Sequence, residues 1–131
     1  MLVDASALVA ILLREPEGDH LLERLDRSDR RATHPISIYD AASAMARRKD
    51  CTIAEAYAEV SSFVAGAGLD IVAIRTPEAI AALEAFARYG KGRHPAKLNM
   101  GDCFSYAVAK LRSMPLLFKG DDFTQTDLAQ I

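Results

Sequence analysis

Short apolar runs alternate with longer helix-forming stretches along this chain, and that alternation restricts its fold more than any other feature. Met1–Asp4 is an apolar run ending on an acid, and Ala5–Arg14 reads as a buried helix, apolar almost throughout. Glu15-Pro16-Glu17-Gly18 breaks it. Asp19–Ser28 carries Leu21, Leu22 and Leu25 on one face and charges on the other, the pattern of an amphipathic helix. Arg30–Thr33 reads as a short strand and His34-Pro35 as a turn. Ser37 is expected to cap a helix that runs to about Lys49, with Asp40 in its first turn. Thr52-Ile53-Ala54-Glu55 matches a capping box and opens a helix to about Ala67, stopped by Gly66 and Gly68. Leu69–Ile74 is a strand candidate. Thr76 is expected to cap the next helix, with Pro77 at its first position and Glu78 facing its positive end, and that helix ends near Gly90. A glycine-rich basic loop, Gly90–Leu98, leads to Asn99, which caps a helix over Met100–Ser113. Pro115–Phe118 is the last strand, followed by the turn Lys119–Phe123. This order predicts an α/β sandwich around a small, mainly parallel sheet.

With 131 residues, 50% of them hydrophobic and 26% charged, the chain has the size and composition of one folded domain. Its net charge of −2 argues against a uniformly basic nucleic-acid coat. The charges are nevertheless segregated. Residues 1–84 hold nine basic and fourteen acidic side chains, whereas residues 85–120 hold seven basic ones and a single acid, Asp102. The last eleven residues add Asp121, Asp122 and Asp127. An acid isolated in a basic stretch points to a role for Asp102 beyond surface charge. The longest apolar run, Ala7–Leu13, is far short of the ~20 residues that span a membrane, and Met1–Asp4 shows no basic leader. Cys51 and Cys103 lack a CxxC partner and read as reduced thiols, so a cytoplasmic protein without a zinc site is expected.

In open α/β sheets ligands bind at the carboxyl ends of the strands. Asp4 ends the first strand, Asp121 and Asp122 follow the last, and Asp40 and Asp102 lie near helix starts, so several carboxylates can converge at one sheet edge. Two carboxylates ~5 Å apart repel by roughly 3 kcal/mol at an effective dielectric of about 20. Three or four together need protonation or a divalent cation, and an all-oxygen set selects Mg²⁺ or Mn²⁺. Each acid also has an ordinary reading: Asp4, Asp40 and Asp102 as helix-end groups, Asp121 and Asp122 as a solvated turn. Ser6 is expected to satisfy backbone at the helix start. His20 and His34 stand alone and are expected at the surface, and His94 is expected to position the basic loop. Cys103 reads as a packed thiol, and Tyr106 either lines the cleft or packs in the core.

Four segments in this order carry a resemblance: Val3-Asp4-Ala5-Ser6-Ala7-Leu8, Gly90-Lys91-Gly92-Arg93-His94-Pro95-Ala96, Leu98-Asn99-Met100-Gly101-Asp102-Cys103-Phe104-Ser105-Tyr106-Ala107 and Leu116-Leu117-Phe118-Lys119-Gly120-Asp121-Asp122-Phe123. Together they resemble the PIN-domain ribonucleases, and among these the VapC toxins of bacterial type II toxin–antitoxin modules. The resemblance covers essentially the whole chain. It implies a single PIN domain over residues 1–131, a three-layer α/β/α sandwich with four or five strands. The implied activity is a Mg²⁺-dependent endoribonuclease, with Mn²⁺ able to substitute. Asp4 and Asp102 match family acids directly. Asp40 stands where the family commonly has Glu. The fourth acid lies in the Lys-Gly-x-Asp-Phe turn, which points to Asp122 with Asp121 as the alternative. Asp4, Asp102, Asp40 and Asp122 would hold the metal, and Lys91, Arg93 and Lys97 would contact RNA phosphates. A cognate antitoxin and a homodimer are the implied partners. The apolar faces of Asp19–Ser28 and Ile53–Ala65 are the candidate contact surfaces.

Two rival readings stand beside this one. A phosphatase using Asp4 as nucleophile usually has a second acid two residues on, where this chain has Ser6. A non-catalytic module of the same fold would bind RNA or protein through the basic loop.

Overall fold

Leu2 and Val3 form the first strand, β1, and Asp4 is already the N-cap of the first helix, so strand and helix meet with one residue between them. The computed structural model describes the backbone of residues 1–130 and the side chains of residues 1–128. The expected domain ends on Ile131, which lies outside the described residues.

After β1 come α1 (Ala5–Leu12), α2 (Gly18–Asp26), β2 (Ala32–Thr33), α3 (Pro35–Lys49), α4 (Ile53–Gly66), β3 (Asp70–Ile71), α5 (Thr76–Tyr89), α6 (Met100–Arg112) and β4 (Leu116–Leu117), then two short 3₁₀ turns. The strands are shorter than the sequence predicts, each keeping two residues. Single backbone bonds continue the ladder, as when the Asp4 N–H donates to the Leu117 carbonyl at 3.0 Å.

All four strands are parallel, in the order β3-β2-β1-β4. Strand side chains alternate between faces. Leu2 and Leu116 therefore enter one core with α5 and α6, while Val3 and Leu117 enter a second core with α1 to α4. The result is three layers, helix–sheet–helix. The chain winds outward from β1 to β3, then crosses back over to place β4 on the other side of β1. A right-handed crossover in the reverse direction lays its helices on the opposite face, which explains why α5 and α6 cover that side.

Two helix starts differ from expectation. The N-cap of α3 is His34, whose Nδ1 accepts the Ser37 N–H at 3.2 Å, with Pro35 at the first helical position. Asp40 thus sits in the second turn of α3, free of any capping duty. The N-cap of α5 is Arg75, whose N–H is accepted by Glu78 at 3.0 Å. The expected capping box at Thr52 and Glu55 is present. Helix α2 buries Leu21 and Leu25, so its apolar face is used within the domain. The exposed large apolar side chains lie elsewhere, on α3 (Tyr39), α4 (Ile53, Tyr57), β3 (Ile71), α5 (Ile80, Leu83, Phe86) and α6 (Met100, Leu111). No helix among the described residues is long and apolar enough to cross a membrane.

Candidate active site

The direction of winding reverses between β1 and β4, and such a switch point opens a crevice at the strands' carboxyl ends. A cleft of about 580 Å³ lies there, lined by Asp4, Asp40, Asp102 and Asp122. The acid that follows β1, the turn after β4, the second turn of α3 and the first turn of α6 all deliver side chains to it.

Asp4 is buried, and its oxygens are held from both sides. Oδ2 accepts the Ser6 N–H at 3.0 Å and the Ser6 hydroxyl at 2.6 Å. Oδ1 accepts the Ser105 hydroxyl at 2.5 Å. A carboxylate oxygen has two lone pairs, so Oδ2 is saturated and the remaining acceptor capacity is on Oδ1. Behind Ser105 lies His34, fully buried, with Nε2 2.9 Å from Ser105 Oγ and 3.0 Å from Ser37 Oγ. Because Nδ1 accepts a backbone N–H, the neutral ring carries its proton on Nε2 and donates toward Ser105. Ser105 in turn donates its hydroxyl hydrogen bond to Asp4. Burial pushes the His34 pKa down to about 4, against the pull of the Asp4 charge. The surface position expected of His34 is therefore corrected: it is a neutral donor behind the first carboxylate.

Asp102 closes a capping box with Asn99. Its Oδ2 accepts the Asn99 N–H at 3.1 Å, and its own N–H donates to Asn99 Oδ1 at 2.9 Å. The capping and site readings of Asp102 coexist, since capping uses one carboxylate oxygen and leaves Oδ1 for the cleft. Burial pushes the Asp102 pKa up to about 7; the Asn99 N–H opposes this, and the charges of Asp4, Asp122 and Asp40 add to it. The Asp40 carboxyl is raised by burial and then by Asp4. It lies so close to the backbone of α6 that a Cβ at Gly101 would fall on Asp40 Oδ2. Asp122 is exposed at the start of a 3₁₀ turn and lines the cleft, whereas Asp121 does not. No ion pair among the described residues involves Asp4, Asp40, Asp102 or Asp122. Nor do three acids, histidines or cysteines among them converge tightly enough to form a ready-made metal cluster.

Lys91, Arg93 and Lys97 are exposed on the loop between α5 and α6, and none lines the cleft. His94 accepts the Ala96 N–H at 3.0 Å and packs edge-on to Tyr89, so it shapes this loop as expected. The cations that do line the cleft are Arg47, Arg48 and Lys119. Ser6 exceeds its expected role: besides bonding Asp4, its oxygen accepts the Lys119 N–H at 3.0 Å. Tyr106 packs in the α5–α6 core and donates its hydroxyl to Asp127 at 2.5 Å. Cys103 is buried, and burial followed by the Asp102 charge pushes its thiol up to about 11, which suits packing rather than nucleophilic attack.

Sequence reasoning missed His34, Ser37, Ser105, Arg47, Arg48 and Glu15. Helical spacing carried part of the signal. Ser105 lies three residues after Asp102, and Ser43 and Arg47 lie three and seven after Asp40, all facing the cleft side of their helices. Nothing in the sequence marked Glu15 or His34.

The PIN domain family matches residues 1–128. A VapC ribonuclease of Mycobacterium bovis is 39% identical over 131 residues, covering 100% of this chain and 98% of that protein. A VapC ribonuclease of Rhizobium meliloti is 41% identical over 139 residues, covering 96% and 97%. A ribonuclease VapC of Mycolicibacterium smegmatis is 41% identical over 137 residues, covering 100% and 99%.

Proposed function

This chain belongs to the PIN-domain family and groups with its VapC ribonucleases, and from that premise we propose that it is a metal-dependent endoribonuclease of the VapC toxin type. The observation that carries the reading is the uncompensated carboxylate set in one cleft at the ends of β1 and β4, with Asp102 raised to about 7. The fold acts as one domain over residues 1–131.

The donor set fits a hard divalent cation: it is all oxygen, unpaired, and electrostatically strained without one. Asp4, Asp102, Asp40 and Asp122 would hold Mg²⁺, or Mn²⁺ in its place. When bound, such an ion acidifies a water and offsets charge on the phosphate. The chain's own groups do the rest. Ser6 and Ser105 donate to opposite oxygens of Asp4, fix its plane, and leave Oδ1 to face a ligand. His34 keeps Ser105 oriented through its Nε2 proton. The Asn99 cap fixes the Asp102 rotamer while its second oxygen stays free. Asp40 is one methylene shorter than the usual Glu, and Gly101 lets α6 approach it closely. This arrangement disfavours Asp4 as a phosphatase nucleophile, because three donors already hold its oxygens.

RNA is the substrate of this reading, with exposed Lys91, Arg93 and Lys97 as contacts farther along its backbone. An antitoxin and a second copy of the chain are the protein partners. Two apolar grooves suit them: one of about 370 Å³ between α5 and α6 at Leu83, Phe86 and Met100, and one of about 390 Å³ between α3 and α4 at Tyr39, Ile53 and Tyr57.

RNA cleavage assayed with Mg²⁺ or Mn²⁺, and again with chelator, tests the proposal. Cleavage is expected to vanish in chelator and return with either ion. Asp4→Asn and Asp102→Asn are each expected to lower it by at least ~100-fold with an unchanged far-UV circular dichroism spectrum. Undiminished cleavage in chelator removes the metal, and full activity in either variant removes that ligand.

A further inference from the structure

Three cations line the carboxylate cleft, and two of them are held by one acid. Glu15, in the connection between α1 and α2, keeps only 9% of its side chain exposed. Its Oε1 accepts Arg48 Nη1 at 2.6 Å, and its Oε2 accepts Lys119 Nζ. Arg48 belongs to the last turn of α3 and Lys119 to the turn after β4, so Glu15 bridges α3 and that turn. Lys119 also forms an ion pair with Glu17, its Nζ 3.0 Å from Oε1. Arg48 and Lys119 remain 49% and 42% exposed. Arg47 beside them is exposed and joins no ion pair among the described residues.

A carboxylate and a phosphodiester present the same chemistry to such cations: one negative charge shared by two oxygens. RNA approaching the cleft meets four aspartates besides Glu15, so its backbone needs positive charge close by. The loop carrying Lys91, Arg93 and Lys97 does not line the cleft, whereas these three cations do. Lys119 is also tied to the reacting centre, since its N–H donates to the Ser6 hydroxyl that donates to Asp4. Both cations reach solvent, so a phosphate can take the place of Glu15 on them without a new charge being buried.

We propose that Arg47, Arg48 and Lys119 form a binding site for the RNA phosphate next to the one at the carboxylates, and that Glu15 occupies this site in the free protein and is displaced by RNA. The proposal rests on the ribonuclease reading of the same cleft. Glu15 is thus an internal competitor for the substrate's backbone.

The test is fluorescence anisotropy of a labelled single-stranded RNA decamer in chelator, which suppresses metal-dependent cleavage, titrated at several salt concentrations from 50 to 200 mM. Arg47→Ala combined with Arg48→Ala is expected to weaken binding about tenfold and flatten the log–log salt slope by about one. Arg47→Ala alone breaks no ion pair, so it guards against a folding defect, and it is expected to give about half that change in slope. Glu15→Gln is expected to tighten binding several-fold and steepen the slope. A merely structural Glu15 would loosen it instead. Unchanged affinity and slope in the arginine variants, weaker binding in Glu15→Gln, or no RNA binding by the unaltered protein would each overturn the proposal. Binding with the expected slopes but no cleavage when Mg²⁺ or Mn²⁺ is restored would sink the ribonuclease reading and leave the phosphate site standing.

Discussion

His34 does two jobs with one ring. Nδ1 ends the orphaned backbone of α3, and Nε2 donates toward Ser105 and so toward Asp4. Both require the neutral imidazole, and full burial enforces it, lowering the pKa from 6.5 to about 4. The unfolded chain takes up this proton near pH 6.5 and the folded one only near 4. Stability from this group is therefore complete above 6.5 and lost as pH falls toward 4, by roughly 3 kcal/mol at most. Asp102, raised from 3.8 to about 7, has the opposite sign over the same window, because its folded state holds the proton and that stabilisation fades as pH rises through 7. Only a variant isolates the histidine. Urea midpoints measured between pH 7 and 4.5 are expected to fall more steeply in the unaltered protein than in His34→Gln. Equal slopes would show that the ring is not the titrating group.

At the scale of elements, the start of α6 joins local and tertiary demands. Asn99 and Asp102 satisfy each other's backbone N–H groups, as the sequence spacing predicts. Between them Gly101 has a helical backbone that any residue adopts, and ordinary helix propensity favours Ala there by up to about 1 kcal/mol. Its lack of a side chain is explained by α3, whose Asp40 carboxyl occupies the space a Cβ would need. Asp40 sits at the end of a flexible side chain, so Gly101→Ala is expected to leave the fold intact and swing Asp40 out of the cleft. Cleavage should drop more than about tenfold, the range seen when groups around a metal site are displaced, without a gain in thermal stability. Unchanged cleavage would mean that Asp40 plays no part. The start of α3 shows the reverse case. Ser37 has the chemistry of a cap and the right distance to Asp40, yet Pro35 begins the helix three residues earlier and hands the cap to His34.

Across the whole molecule, four two-residue strands separate two cores, and neighbouring side chains on one strand serve opposite sides. Leu116 packs with α5 and α6, Leu117 with α1 to α4, and both pair with β1. Leu116→Ala and Leu117→Ala are each expected to cost about 2–5 kcal/mol. With so thin a sheet, neither layer has a partner once the other is lost, so unfolding should stay a single transition by both circular dichroism and tyrosine fluorescence. Two separated transitions would show independent layers. The strand–helix alternation, the capping box at Thr52, the cap at Asn99, and the positions of Asp4, Asp102 and Asp122 at element ends were legible in the sequence, because each depends on residues a few positions apart, whereas Asp40 lies one turn deeper in α3 than its spacing from Ser37 suggested. The family resemblance was legible for the same reason, as four local motifs in order. What only the tertiary structure decided was which groups meet: His34 behind Ser105 and Asp4, Gly101 beneath Asp40, and Arg48 with Lys119 on Glu15. Those pairs lie tens of residues or more apart along the chain. They are set by the reversal of winding at β1 and β4, which packs α3 and the turn after β4 around one cleft, and no local pattern encodes that packing.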